Sequence, residues 1–159
     1  PADFFNKQAQ MVKERNNLED LKNSGKISDS DYQKKLSSNK LLDELTYMRD
    51  GKAIARYETG LEIKTSPDQD RKMRENFKSG MDKTYVLTSP FYSFNCKDAV
   101  NNALRAGEQK VNTKPNEPPK DWFKRLSENE KITVSNIYVA DKKTGDWFDV
   151  KSALYDKKK

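Results

Sequence analysis

From residue 4 onward the apolar side chains Phe4, Phe5, Met11, Val12, Leu18 and Leu21 fall mostly three, four or seven positions apart, the spacing that gathers them on one face of an α-helix. Ser24-Gly25 stops that helix. After Ile27, Ser28 to Asp31 supply a cap and first-turn acids for a second helix through Tyr32, Leu36, Leu41, Leu42, Leu45 and Met48 to Asp50-Gly51. The first fifty residues are thus expected to form a helical hairpin, and their spacing resembles the short hairpin modules appended to bacterial proteins.

Beyond Lys52 the period shortens. Residues 53–57 and 61–64 are β-prone runs separated by Glu58-Thr59-Gly60, which predicts a β-hairpin. Ser66-Pro67 opens a helix with Met73 and Phe77 facing inward until Ser79-Gly80. Tyr85-Val86-Leu87 reads as a short extended stretch, and a helix is expected from Asn95 or Cys96 to Gly107 as its C-cap. The polar, proline-rich residues 112–119 predict a loop, with Pro119 opening a short helix that carries Trp122, Phe123 and Leu126. Ile132, Val134 and residues 137–139 lead through Lys142-Lys143-Thr144-Gly145 to Trp147, Phe148 and Val150, a second hairpin, with Trp122, Trp147 and Phe148 as core candidates. The fold class is therefore α+β: an N-terminal helical hairpin, residues 1–50, then a small antiparallel sheet packed on helices, residues 51–159.

Bulk properties narrow the possibilities. The chain has 159 residues, room for one domain or for one domain with an appendage, and its seven Phe, seven Tyr and two Trp are too many for a disordered chain. The net charge of +6 owes half its value to Lys157, Lys158 and Lys159, and elsewhere acids and bases alternate, so nucleic acid is not the expected partner. A single cysteine allows no internal disulfide, and without histidine the usual zinc-ligand patterns are missing; no metal or cofactor is expected. No apolar run approaches the roughly 18 residues of a membrane span, and the first residues lack the basic and apolar regions of a Sec signal.

The residue with intrinsic nucleophilicity is Cys96, placed where a loop feeds into a helix. The unpaired N–H groups and macrodipole at a helix start stabilise a thiolate and would also stabilise an oxyanion formed beside it. Around it run Thr65 to Asp70, Ser79-Gly80-Met81, Tyr85, Asn95-Cys96, Val100, Ala103-Leu104 and Ala106-Gly107. This succession resembles the nucleophile segment of permuted papain-like domains, a group that includes lecithin:retinol acyltransferase-like proteins, NlpC-type peptidases and the C-terminal toxin domains of Rhs-type bacterial proteins.

The resemblance implies a papain-like core. It also implies a bacterial effector or toxin in which Cys96 attacks an amide, ester or thioester, supported by Asn95, Tyr85 and Tyr92. It implies a protein partner (a target, a cognate immunity protein or a carrier) and synthesis in the bacterial cytoplasm with delivery by a specialised secretion system. The histidine that takes the cysteine proton in those families would fall near residues 53–63, where this sequence has none. A non-catalytic interaction module that keeps the fold, acting as adaptor, carrier or inhibitor, is the alternative. On the residues alone, Cys96 reads first as a buried structural thiol, Tyr85 and Tyr92 as core aromatics and Asn95 as a helix cap, and the surrounding motif brings the two readings of Cys96 level.

Overall fold

The computed structural model describes residues 2–80 and 96–151. The architecture is α+β, and the chain divides into two compact units: residues 1–62 with 136–159, and residues 63–135. The sequence expectation instead set its boundary after Asp50.

In the first unit α1 (Ala2–Asn23) ends as expected, with Gly25 at φ 71° and Lys26 N–H bonded to the Leu21 carbonyl at 2.9 Å. Only glycine adopts that left-handed position without strain. The predicted second helix is shorter than expected. It breaks at Asn39 into α2 (Asp29–Ser38) and α3 (Lys40–Leu45), because the Asn39 carboxamide oxygen accepts from Leu41 N–H at 3.2 Å and starts a new helix. Met11, Leu18, Tyr32, Leu42 and Leu45 form the buried cluster between these helices.

Residues 46–49, expected to be helical, are instead strand β1 (Thr46–Arg49), paired antiparallel with β2 (Lys52–Ala55) from Thr46↔Ala55 to Arg49↔Lys52. Asp50 and Gly51 are the two-residue turn, at φ 51° and 74°. Two successive positive φ values fit the twist of a tight hairpin, so Asp-Gly here makes a β-turn rather than a helix stop. The hairpin predicted between residues 53–57 and 61–64 is accordingly absent. Strand β3 (Thr59–Ile63) joins the strands near the C-terminus in a three-stranded sheet ordered β3, β4 (Val134–Ala140), β5 (Trp147–Asp149).

The β4–β5 hairpin forms as expected, with Tyr138↔Asp149 and Ala140↔Trp147 in register. Gly145, at φ 76°, lets its turn approach α1 so closely that a Cβ there would lie 2.8 Å from Ala9 Cα. Phe5, Tyr138 and Ala140 are buried together with Trp147 packed on them, and Phe5 stacks on Tyr138 at 5.5 Å between ring centroids. Phe148, a predicted core residue, is 57 % exposed, because alternation along β5 turns it away from the face that Trp147 presents to Phe5.

Polar side chains also lie on the buried face of α1. Gln8 is fully buried; its amide donates to the Tyr57 carbonyl at 2.8 Å and accepts from Tyr57 N–H at 3.0 Å. Two turns on, Asn16 Oδ1 accepts from Ala53 N–H at 2.8 Å and its amide donates to the Ala53 carbonyl at 3.4 Å. These two amides pair with the backbone of β2 and of Tyr57 just beyond it as a neighbouring strand would, at Ala53 satisfying groups that burial would otherwise leave unbonded. Arg15 donates to the Leu42 carbonyl and to Thr46 Oγ1, and pairs with Asp43 at 3.1 Å, tying α1 to the α3–β1 junction.

Candidate functional site

The second unit holds α4 (Pro67–Gly80), α5 (Cys96–Ala106) and α6 (Pro119–Ser127). Helix α4 starts where the sequence places it. Ser66 Oγ accepts from Gln69 N–H at 3.2 Å while Gln69 Oε1 accepts from Ser66 N–H at 2.9 Å, a reciprocal capping box. Phe77, expected to face inward, is 44 % exposed, and Met73 supplies the helix contact instead.

Cys96 is the first described residue of α5. Asn95, Tyr85 and Tyr92, together with the stretch Tyr85-Val86-Leu87, lie outside the described residues. The helix ends at Ala106 with Gly107 directly after it, as expected, and the left-handed position falls one residue further on. Glu108, at φ 65°, takes the left-handed position, with its N–H bonded to the Arg105 carbonyl and Gln109 N–H bonded to the Leu104 carbonyl, both at 2.9 Å. Gly107 matters for packing. A Cβ there would sit 2.5 Å from Met73 Cγ and 3.1 Å from the Gln69 carbonyl oxygen, so its missing side chain is what seats α5 on α4. Lys72 of α4 pairs with Glu108 at 2.6 Å across the same contact.

The first turn of α5 carries charge. The sequence pattern turns Lys97 and Asp98 to solvent, yet Lys97 is only 6 % exposed, and its ammonium donates to the Glu117 carbonyl in the loop before α6. That loop is held in turn by Arg125 of α6, whose guanidinium donates to both Glu117 carboxylate oxygens at 2.8 and 2.7 Å and to Asn112 Oδ1 at 2.8 Å. The Glu117 carboxyl is pulled down to about 2, first by the Arg125 hydrogen bonds and then by the Lys114 N–H and the charges of Arg125 and Lys97. Trp122 is buried as predicted and donates its indole N–H to the Asn112 carbonyl at 3.2 Å.

One turn after Lys97, Asn101 is 3 % exposed and its Oδ1 has no hydrogen-bond donor among the described residues. The buried polar pair at positions 97 and 101 escapes a reading of the sequence, since four-residue spacing marks a helix face only where the residues are apolar.

Near the described beginning of α5 thus lie a buried ammonium, that of Lys97, and the Glu117 carboxylate, whose charge Arg125 neutralises. Among the described residues no group of three or more His, Cys, Asp or Glu could hold a metal ion, and no helix is long and apolar enough to cross a membrane. Comparison with known proteins returns no matching family, no matching curated relative and no matching solved structure.

Proposed function

We propose that the chain is an effector or toxin-type domain of papain-like ancestry, in which the Cys96 thiolate attacks the carbonyl carbon of an ester, thioester or amide in a protein, peptidoglycan or lipid substrate. The reading is supported by helix α5, whose described residues begin at Cys96, where the sequence places a loop feeding into a helix. A helix N-terminus at that residue favours the thiolate over the thiol. In the reaction the sulfur–carbon bond forms, the bond to the leaving group breaks, and water then cleaves the thioester to free the carboxylate and the cysteine.

The sequence holds no imidazole to protonate a leaving amine, so activated esters, whose leaving groups depart as anions, are the substrates expected to react. The same lack of histidine favours the second reading, a protein-interaction module that keeps the fold without catalysis.

Rapid mixing with p-nitrophenyl acetate separates the two. The enzyme reading expects a burst of nitrophenolate stoichiometric with protein, lost in Cys96→Ser, and native-state alkylation by iodoacetamide below pH 7. An unchanged burst in Cys96→Ala removes Cys96 from the chemistry. Alkylation only after denaturation, with no reaction toward any acyl donor, leaves a structural thiol and the interaction module.

A further inference from the structure

In the first unit, α1, the β1–β2 turn and the β4–β5 turn enclose a groove of about 1070 Å³. Pockets that hold small molecules run to roughly 300–1,000 Å³, so a ligand of a few hundred daltons fits. Its lining includes Ala53 and Ile54, both buried, and Asn16, whose amide is already spent on the Ala53 backbone.

The charges in the groove are segregated by element. Helix α1 supplies Glu19 and Asp20, whereas the two turns supply Arg49, Lys52, Lys142 and Lys143 beside Asp50. Lys142 lies 3.4 Å from Glu58, and Glu19 accepts from the Tyr32 phenol. Among the described residues Arg49, Lys52 and Lys143 form no ion pair. A peptide cannot add itself to β2 here as a strand. Ala53 N–H and carbonyl are taken by Asn16, and Ala55 N–H is taken by the Lys142 carbonyl at 2.7 Å. Recognition must therefore run through side chains. A bare polyphosphate would meet the repulsion of the α1 carboxylates, and an uncharged sugar would leave three cations without use.

We propose that this groove binds a nucleoside phosphate. The phosphoryl oxygens lie on Arg49, Lys52 and Lys143, and the sugar hydroxyls or base amino group donate to Glu19 and Asp20. This site is independent of Cys96 and of the chemistry proposed for it. Cations bind phosphoryl oxygens by charge-assisted hydrogen bonds, whereas carboxylates take hydroxyl and amino donors, so each side of the groove reads a different part of the ligand.

The test is calorimetric titration of the full chain with ADP, pyrophosphate and adenosine in a phosphate-free buffer of low ionic strength. ADP is expected to saturate the protein, with pyrophosphate and adenosine each about tenfold weaker or worse. The Lys52→Ala/Lys143→Ala double variant is expected to weaken ADP binding by about tenfold or more while Lys34→Ala, on α2, leaves it unchanged. Asp20→Asn is expected to weaken ADP and spare or strengthen pyrophosphate. The proposal is overturned by ADP that fails to saturate at millimolar concentration, by ADP affinity unmoved in the double variant despite an unchanged circular dichroism spectrum, or by pyrophosphate binding as tightly as ADP. Single-stranded RNA oligomers that bind more tightly with each added nucleotide, while ADP does not saturate, would replace it with a phosphate-backbone surface.

Discussion

Glu117 has both carboxylate oxygens occupied, by the Arg125 guanidinium and the Lys114 N–H, and its carboxyl is held at about 2 instead of 4.5. A carboxyl depressed in the folded state stabilises the fold in full above its unfolded value and loses that contribution as pH falls through its folded value. The window therefore runs from about 4.5 down to about 2. Urea midpoints are expected to be lower for Glu117→Gln than for the parent chain at pH 7 and to converge with it as pH approaches 2. Parallel curves across that window would show that the contact with Arg125 contributes nothing. This contact was not legible beforehand: an eight-residue separation between a loop acid and a helix cation follows no period, and the stretch reads only as polar and proline-rich. The same holds for Gln8 and Lys97, polar residues that a hydrophobic pattern assigns to the surface but hydrogen bonds carry inward. At the candidate site the reverse is true. Helix α5 itself was legible, from the helical spacing of Val100, Ala103 and Leu104, whereas Tyr85, Tyr92 and Asn95 lie outside the described residues.

Elements whose limits are set by local chemistry were the readable ones. Gly25 ends α1, Ser66-Pro67 opens α4, Pro119 opens α6, and the turn at residues 141–145 closes β4 on β5. Elements set by distant partners were not. Strand β3 pairs with β4 across more than seventy residues, and β1 becomes a strand because β2 lies beside it and Thr46 is buried under Arg15. Between them, Gln8 and Asn16 let one helix stand in for a missing neighbouring strand, and this can be measured. Asn16→Ala leaves the Ala53 N–H and carbonyl without their partner, at an expected cost of about 1–3 kcal/mol, and Gln8→Ala does the same at Tyr57. The exposed neighbour Asn17→Ala is expected to change stability by less than about 0.5 kcal/mol. Hydrogen exchange gives the residue-level check. The Ala53 amide should lose protection in Asn16→Ala, and the Tyr57 amide in Gln8→Ala. Equal protection in parent and variants would mean that the two side-chain amides do not hold this segment.

For the whole molecule the question is where the chain could be cut. A boundary after Asp50 suits the periodicity of the sequence, yet residues 1–50 supply Phe5, Gln8, Met11, Val12, Arg15, Leu18, Leu42 and Leu45 to the buried interior of the first unit, along with all of β1. A chain starting at residue 51 keeps Tyr138, Ala140 and Trp147 but loses the Phe5 ring that packs on them and the Asn6 oxygen that accepts from the Trp147 indole at 2.8 Å. Burying one large apolar side chain contributes about 1.5–3 kcal/mol, and a domain's net stability is only about 5–15 kcal/mol, so losing several at once exceeds what the remaining residues can offset. Residues 51–159 are therefore expected to lose cooperative thermal unfolding of the β3–β4–β5 sheet. Trp147 reports on it directly: in a Trp122→Phe background it is the only indole, and its emission should shift to the red in the truncated chain at temperatures where the full chain keeps it half-buried. Cooperative unfolding of residues 51–159 with unshifted emission would establish residues 1–50 as a separable appendage, as their helical spacing first suggested.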